Sequence, residues 1–412
     1  MYIITLENTS GTHAGNFKES LTIMQKQFPL LTPGVQEPFF LKEYPDYPVY
    51  MHIPESYSPE VKTPLFFFMH GGDKNSPPEA PFKTYLDPEK GTLYHLVKEA
   101  PFVTAAPCAP FAKDGKRWNY PGSVEYIDAV IAAVRERINV DEDRIIFGGH
   151  SMGGFGAYHN GTLMADRFSC ILLSSGAWLE TDFKAFLGTP AYILHGKYDC
   201  AANYKEFHVE PRHHDWCSVD FGRAAHELMV RDGVTHVYDE HEGGHGLRWE
   251  PAQMAFMRFI DYAMHFKRDP YPVRCAVVSP AGSADPSLIP HRESRYLRID
   301  KTLPGSVELD KIVLHGPNIA WSVKEFCQQC YTLTKASREG ARLIAENKGG
   351  NRFEITCENV AEFTLFLAPG MADVTQELQL WVNGREYRAL PAACQEKKDY
   401  SHQVKISLKD LI

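Results

Sequence analysis

Short apolar runs alternate with amphipathic stretches between residues 47 and 268. The apolar runs have the length of strands and lie at 64–70, 102–107, 144–147, 169–174, 191–195 and 235–239. The stretches at 123–138, 153–164, 219–231 and 251–266 are predicted to be helices. Because strands that are apolar along their whole length are buried on both faces, the alternation predicts a mainly parallel sheet covered by helices.

The pattern changes after the Pro-Tyr-Pro segment at 270–272. Alternating and β-branched runs follow at 294–299, 306–314, 341–345, 351–357, 363–367 and 378–382. The last run precedes Asn383-Gly384, a strong signal for a hairpin turn. We therefore expect a β-sandwich-like second domain. The predicted division is an N-terminal extension at 1–46, an α/β domain at 47–270 and a β-rich domain at 271–412.

Composition narrows the class of partner. The 412 residues carry a net charge of −9 and disperse their Lys and Arg, which argues against a nucleic-acid partner. No apolar run approaches the roughly 18 to 20 residues that cross a bilayer, so no membrane partner is expected. A hydrophobic content of 44% and a charged content of 23% are typical of a soluble globular protein.

Cysteine usage bears on the compartment. The nine cysteines are scattered and odd in number, which favours reduced thiols and a cytoplasmic location. The first residues lack the basic and apolar regions of a signal peptide, and secretion stays an alternative if a leader preceded them. Cys327 and Cys330 form a C-x-x-C pair without a second pair at zinc-ribbon spacing, so structural thiols are the better interpretation.

A glycine-rich turn follows the run at 144–147. Residues 149–153 read GHSMG, which fits the G-x-S-x-G pattern of a nucleophile elbow between a strand and a helix. Small neighbours permit the strained turn that exposes the Ser151 hydroxyl at the carboxyl end of the strand. The helix that follows directs backbone N–H groups and the positive end of its dipole at the same place.

The elbow requires an acid and then a histidine at the ends of later strands. Asp199 ends the segment HGKYD, directly after the run at 191–195, and His245 lies in the glycine loop GGHG after the run at 235–239. Serine needs an imidazole to take its proton, and the imidazole needs a carboxylate to fix its tautomer. We therefore predict Ser151 as nucleophile, His245 as base and Asp199 as acid.

Other residues compete for two of these roles. His241 is an alternative base, although it lacks glycines on both sides. Asp215 and Asp220 are alternative acids, although neither directly ends a strand. His150, inside the elbow, is expected to be a packing residue and receives no role.

An oxyanion hole is also required, with each donor worth roughly 3 to 4 kcal/mol. The Met152 N–H, directly after the nucleophile, is the first expected donor. The second is expected from the loop at 70–72, which reads HGG after the early strand, because glycine lets a backbone approach the intermediate closely.

These segments resemble the α/β-hydrolase serine esterases of the dienelactone hydrolase, feruloyl esterase and prolyl-oligopeptidase-like group. The resemblance covers roughly residues 47–268. It implies the α/β-hydrolase fold, the Ser151, Asp199 and His245 roles, and Met152 and Gly72 as oxyanion donors. Asp73 stands where many such esterases have a third glycine, which leaves the second donor open.

Ring side chains are candidates for substrate contact. The insertion at 201–218 is rich in them and contains His214 and Trp216. Trp118 and Trp178 follow strands whose carboxyl ends face the predicted site. These four residues are predicted to hold an aromatic or sugar-bearing substrate; a packed lid and loop-anchoring tryptophans are the alternatives. The spacing of His208, His213, His214 and Asp215 matches no metal site, so no metal is predicted.

The predicted activity is hydrolysis of carboxylic esters through an acyl-serine. Feruloyl-type or carbohydrate-linked esters, as small molecules or oligosaccharides, are the preferred substrates, and no cofactor is implied. A serine peptidase is the alternative enzyme. A second alternative places carbohydrate binding in the C-terminal region, where Trp321, Tyr331 and Trp381 form either a sugar platform or core. A homodimer through that region is left open.

Overall fold

The structure is a computed structural model that describes residues 27–72, 75–109, 118–199, 217–283, 288–315 and 331–408. The strands of its first part are β1 Gly34–Val35, β2 Phe39–Leu41, β3 Tyr44–Ile53, β4 Thr63–Met69, β5 Val103–Pro107, β6 Val140–His150, β7 Cys170–Ser174, β8 Glu180–Thr181, β9 Ala191–Gly196 and β10 His236–His241. The α-helices are α1 Tyr94–Val97, α2 Ser123–Arg137, α3 Met152–Met164, α4 Val219–Asp232 and α5 Glu250–Met264.

A nine-stranded mixed sheet forms the centre of this part. Its order is β1-β3-β5-β4-β6-β7-β9-β10, with β2 paired to β3. Six neighbouring strands of this sheet run parallel: β5, β4, β6, β7, β9 and β10. Strand β3 is antiparallel to β5. The expected mainly parallel sheet is therefore confirmed. The sheet starts earlier than the predicted boundary at residue 47, because β1, β2 and the start of β3 come from the segment predicted as an extension.

Strand β4 shows why these runs are apolar throughout. Phe67 and Met69 belong to the core under α2, α3 and α4, while Phe66 and Phe68 belong to the core under α1 and α5. All four side chains are fully buried. Burial of one such side chain contributes about 1.5 to 3 kcal/mol, so a polar residue on either face would weaken the sheet.

The C-terminal part contains β11 Arg274–Ser279, β12 Glu293–Ser294, β13 Leu297–Thr302, β14 Ser306–Leu314, β15 Tyr331–Glu339, β16 Ala341–Gly349, β17 Arg352–Glu358, β18 Val360–Leu367, β19 Leu378–Val382, β20 Arg385–Ala389, β21 Ala392–Ala393 and β22 His402–Ser407. Two five-stranded sheets, β11-β16-β17-β19-β20 and β12-β13-β18-β22-β21, contribute side chains to one shared core. The predicted turn at Asn383-Gly384 joins β19 to antiparallel β20, with positive φ angles of 49° and 81°.

Strand β14, predicted as part of the β-rich domain, belongs to neither five-stranded sheet, and the same holds for β15, which the hydrophobic pattern did not predict. β14 joins β15 on one side and β8 of the first part on the other, in a separate three-stranded sheet. Ile312 and Tyr331 pack into the core of the α/β part. Buried Glu180 accepts from Arg338 at 2.8 and 2.9 Å and from Lys311 at 3.1 Å. These contacts cross the predicted boundary at 270/271. The β-sandwich-like domain as a separate unit stays a prediction.

Within the described ranges, no helix is both long and apolar enough to cross a membrane.

Candidate active site

The turn between β6 and α3 holds Ser151 in a strained conformation. Its φ of 59° and ψ of −119° lie where residues with a side chain are uncommon, at a cost of about 1 to 3 kcal/mol. The neighbouring glycines make the turn sterically feasible: a Cβ on Gly149 would lie 2.5 Å from the Met69 carbonyl oxygen, and one on Gly153 would overlap it. The Ser151 N–H donates to the Ser174 carbonyl at 3.0 Å, which ties the turn to β7.

His245 lies between the serine and the acid. Its Nε2 is 2.8 Å from Ser151 Oγ, and its Nδ1 is 2.7 Å from Asp199 Oδ2. Since a carboxylate only accepts, Nδ1 carries the proton, and Nε2 is left to accept the hydrogen bond from the serine hydroxyl. His245 is thus within hydrogen-bonding distance of both Ser151 and Asp199, the arrangement expected from the sequence.

Burial and charge set the ionisation of this group. Burial alone would raise the pKa of Asp199, but its interactions with His245 and His195 hold that pKa well below the ordinary value. Burial likewise would lower the pKa of His245, and the Asp199 carboxylate outweighs it and raises that pKa well above 6.5. Asp199 is therefore an anion at neutral pH, and its charge strengthens His245 as a base.

Two further histidines beside this pair, His195 and His150, are buried. His195 Nε2 lies 2.9 Å from the Cys217 carbonyl and 3.3 Å from Asp199 Oδ2. The ring of His150 is 5.0 Å from that of His245, and its Nδ1 is 3.0 Å from Ser174 Oγ. Burial, with a smaller effect from His245, lowers the pKa of His150 well below 6.5. His150 is thus a neutral side chain that packs beside the proposed base His245.

The alternative base His241 and the alternative acid Asp220 have surroundings that differ from those of His245 and Asp199. Burial lowers the pKa of His241 to about 4, with a smaller effect from His195. The imidazole within hydrogen-bonding distance of Ser151 belongs to His245. Asp220 interacts with Arg223 and Ser218 at the start of α4. Asp215 lies outside the described residues.

The loop at 70–72 approaches Ser151 from β4. His70 Nδ1 donates to the Gly71 carbonyl at 2.7 Å, and its Nε2 accepts from the Ala109 N–H at 3.0 Å. The Gly71 N–H donates to the Tyr85 hydroxyl at 2.9 Å. Both backbone polar groups of Gly71 are therefore already hydrogen-bonded. Gly72, exposed and at a φ of 130°, carries the next N–H along the chain.

Two predicted substrate contacts are core residues in the structure. Trp118 is 0% exposed and donates its indole N–H to the His70 carbonyl at 3.1 Å. Trp178 is 1% exposed and donates to the Phe221 carbonyl at 3.0 Å. Neither ring offers a face to a ligand, because each buries its apolar surface and satisfies its N–H internally. His214, Trp216 and the ring-rich stretch at 201–216 lie outside the described residues, as does Asp73.

The aromatic residues of the C-terminal region have separate surroundings. Tyr331 is buried, and its hydroxyl donates to Glu227 of α4 at 3.0 Å. Trp381 is half-buried beneath the Arg352 guanidinium, which lies 5.5 Å from the ring centre. Trp321 lies outside the described residues. Tyr331 is therefore part of the core, which is one of the two alternatives expected for it.

Sequence reasoning missed three neighbours of the site. Trp249 is 37% exposed and lies beside the glycine loop, its indole nitrogen 3.7 Å from the Cβ position of Gly246. Its place four residues after His245 was a usable signal. The sequence carried no signal for Tyr85 or His195, since their roles depend on contacts between distant segments.

No group of three His, Cys, Asp or Glu side chains suited to a metal occurs in the part of the chain described.

Comparison with known proteins gives distant similarities. No family model matches the sequence. A bifunctional acetylxylan esterase/xylanase from Neocallimastix patriciarum is 23% identical over 160 residues, which are 38% of this chain and 22% of that protein. A thermostable esterase has 19% identity and a TM-score of 0.40, over 56% of this chain and 62% of its own. A ferulic acid esterase has 17% identity and a TM-score of 0.39, over 57% and 99% respectively.

All three proteins carry esterase in their names. The chain spans less than two thirds of the length of the acetylxylan esterase/xylanase and of the thermostable esterase. At these identities and TM-scores, the similarity transfers neither a substrate nor a mechanism to this chain.

Proposed function

We propose that this protein is a serine hydrolase of carboxylic esters that works through an acyl-enzyme at Ser151. The observation that carries the proposal is the continuous hydrogen-bond path from Ser151 Oγ through His245 to Asp199. A serine hydroxyl alone is a weak nucleophile, and a buried carboxylate behind an imidazole is the arrangement that activates it.

The reaction proceeds in two halves. Ser151 Oγ attacks the ester carbonyl while its proton moves to His245 Nε2, and the electron pair of the C=O bond moves onto the oxygen. Collapse of this intermediate breaks the bond to the alcohol, which takes the proton from His245. Water then attacks the acyl-serine while His245 Nε2 takes its proton. Collapse of the second intermediate breaks the bond to Ser151 Oγ, which regains the proton from His245 as the acid is released. Asp199 stabilises the imidazolium in both halves.

The oxyanion is assigned to the Met152 and Gly72 N–H groups. Met152 is the first residue of α3, so its N–H lies in the first turn, where helix N–H groups have no intrahelical acceptor. The bonds that occupy Gly71 on both sides favour Gly72 as the second donor. The positive end of the α3 dipole adds to the stabilisation of the developing charge.

Esters of aromatic acids, or esters attached to carbohydrate, are the proposed substrates. Trp249 supports this choice, because it exposes part of an indole ring beside the loop that carries His245. Stacking on such a ring favours planar acyl groups and sugar faces. Trp118 and Trp178 do not support this choice of substrate, because both are buried.

The test is hydrolysis of para-nitrophenyl acetate, methyl ferulate and an aminoacyl-nitroanilide by the wild type and by Ser151→Ala. We expect ester turnover that disappears in Ser151→Ala and persists in Ser58→Ala, a control at a half-buried serine bonded to Glu60. Cleavage of the anilide alone would replace the esterase by the peptidase alternative. Equal ester turnover in the wild type and Ser151→Ala would refute the proposal.

A further inference from the structure

Tyr85 lies in the short helical segment Pro81–Leu86, which packs against the loop at 70–72. Its ring is buried, with its centre 5.1 Å from that of Phe68, and its hydroxyl accepts the Gly71 N–H at 2.9 Å. Burial raises the pKa of Tyr85 to about 12. The phenol is therefore protonated at neutral pH, and its oxygen carries a hydrogen besides the one it accepts.

The Tyr85 hydroxyl and the nucleophile both pack closely against Gly71. A Cβ placed on Gly71 would overlap the Tyr85 hydroxyl and would lie 2.9 Å from Ser151 Cβ and 3.0 Å from the His150 carbonyl oxygen. Glycine at position 71 thus lets the phenol and the elbow approach each other closely. The phenol hydroxyl therefore lies near the proposed nucleophile and near the proposed donor Gly72.

Among the described residues, the Tyr85 O–H has no acceptor, since the one hydrogen bond of this hydroxyl is the one it accepts from Gly71. Buried hydroxyl groups normally find an acceptor, and leaving one unmade is unfavourable. The carbonyl oxygen of an ester bound at Ser151 is an acceptor, and it becomes a much stronger one when it turns into an anion during the reaction. A donor directed at this oxygen therefore stabilises the transition state more than the ground state.

We propose that Tyr85 is a further catalytic residue, whose O–H donates a hydrogen bond to the oxyanion formed at Ser151. The inference rests on the proposed function. The Gly71 N–H bonded to the phenol oxygen polarises the O–H, so the pair acts as a chain of two donors toward the substrate. Tyr85 keeps its proton throughout, and the proton of Ser151 still passes to His245.

The first experiment compares Tyr85→Phe with the wild type on para-nitrophenyl acetate. We expect kcat to fall on the order of 100-fold with little change in KM, as for the loss of one oxyanion donor. Tyr158→Phe is the matched control and should keep the wild-type kcat. Tyr158 is also fully buried, and its hydroxyl has no hydrogen-bond partner in the described part of the chain. Wild-type kcat in Tyr85→Phe would overturn the inference.

A second experiment separates donation to substrate from anchoring of the Gly71 loop. Replacing Tyr85 by 3-fluorotyrosine keeps the ring and the hydroxyl but makes the O–H a stronger donor and a weaker acceptor. We expect kcat to be maintained or raised. A fall in kcat would show that the hydroxyl matters only as the acceptor for the Gly71 N–H, and would overturn the inference even if Tyr85→Phe failed to fold.

The proposed function has its own control in the same assay. If Ser151→Ala retained the wild-type ester turnover, the nucleophile assignment would fail, and with it the premise for Tyr85. If turnover depended on Ser151 but not on Tyr85, the esterase proposal would stand and the Tyr85 inference alone would be wrong.

Discussion

His195 Nε2 lies 3.3 Å from Asp199 Oδ2, the same carboxylate oxygen that interacts with His245. His195 is fully buried, and the two groups facing its Nε2, the Cys217 carbonyl and the carboxylate, both accept. Nε2 therefore carries a proton, and His195 acts on the acid as a donor. This makes His195 a positioning residue for Asp199, although the HGKYD segment suggested only the aspartate.

Replacing His195 tests this role. His195→Phe keeps a ring but leaves the Cys217 carbonyl unpaired, which should cost about 1 to 3 kcal/mol in the free energy of unfolding. We also expect kcat to fall, because Asp199 loses a contact that fixes its orientation. His195→Gln, whose amide supplies an N–H, should restore part of the lost free energy of unfolding and part of the lost kcat. Urea unfolding measures the first and ester turnover the second. Equal kcat in all three proteins would limit His195 to a structural role.

The dependence of activity on pH follows from the Asp199–His245 pair. The base must be neutral, so kcat/KM should rise as pH increases through the pKa of His245, which Asp199 raises above 6.5. Asp199→Asn removes the negative charge, so the rise should move to lower pH, while kcat falls on the order of 10⁴-fold. The measurement is kcat/KM for para-nitrophenyl acetate across the pH range in both proteins. If kcat/KM rose over the same pH range in the wild type and in Asp199→Asn, the assignment of Asp199 would be contradicted.

Steric crowding at the elbow predicts a large effect from one methyl group. In Gly153→Ala the added Cβ overlaps the Met69 carbonyl, a backbone group of a central strand that cannot move aside. We expect destabilisation of about 1 to 3 kcal/mol or more. Gly370→Ala is the control, since its Cβ would meet only the Tyr271 ring at 3.6 Å, and its effect should stay within about 1 kcal/mol. Equal thermal stability of the two variants would refute the crowding argument.

The exposed Trp249 predicts selectivity for the acyl group. Trp249→Ala should lower kcat/KM for methyl ferulate more than for para-nitrophenyl acetate, by about 10-fold for a lost contact of 1 to 1.5 kcal/mol. Trp249→Phe retains a stacking surface and should recover most of the ratio. If both substrates were affected equally, Trp249 would support the His245 loop instead of binding the acyl group.

Much of the α/β part was predictable because its signals are local. Buried parallel strands are apolar along their length, and β4, β5, β7 and β9 lie within a residue or two of the predicted runs. The same strand ends identified Ser151, Asp199 and His245, since parallel strands bring their carboxyl ends to one edge of the sheet. Strand β15 was missed because its residues are largely polar, and β1 and β2 because they are only two and three residues long.

The sequence by itself determined where the main strands of the α/β part lie along the chain, the strained turn and the chemistry available at three strand ends, because hydrophobic periodicity and glycine placement act within a few residues. Only the tertiary structure decided which ring side chains are exposed. Trp118 and Trp178 are core residues and Trp249 is at the surface, since burial depends on segments distant in the chain. The contacts of Tyr85 with Gly71 and of His195 with Asp199 were also decided there, by packing that no local pattern encodes.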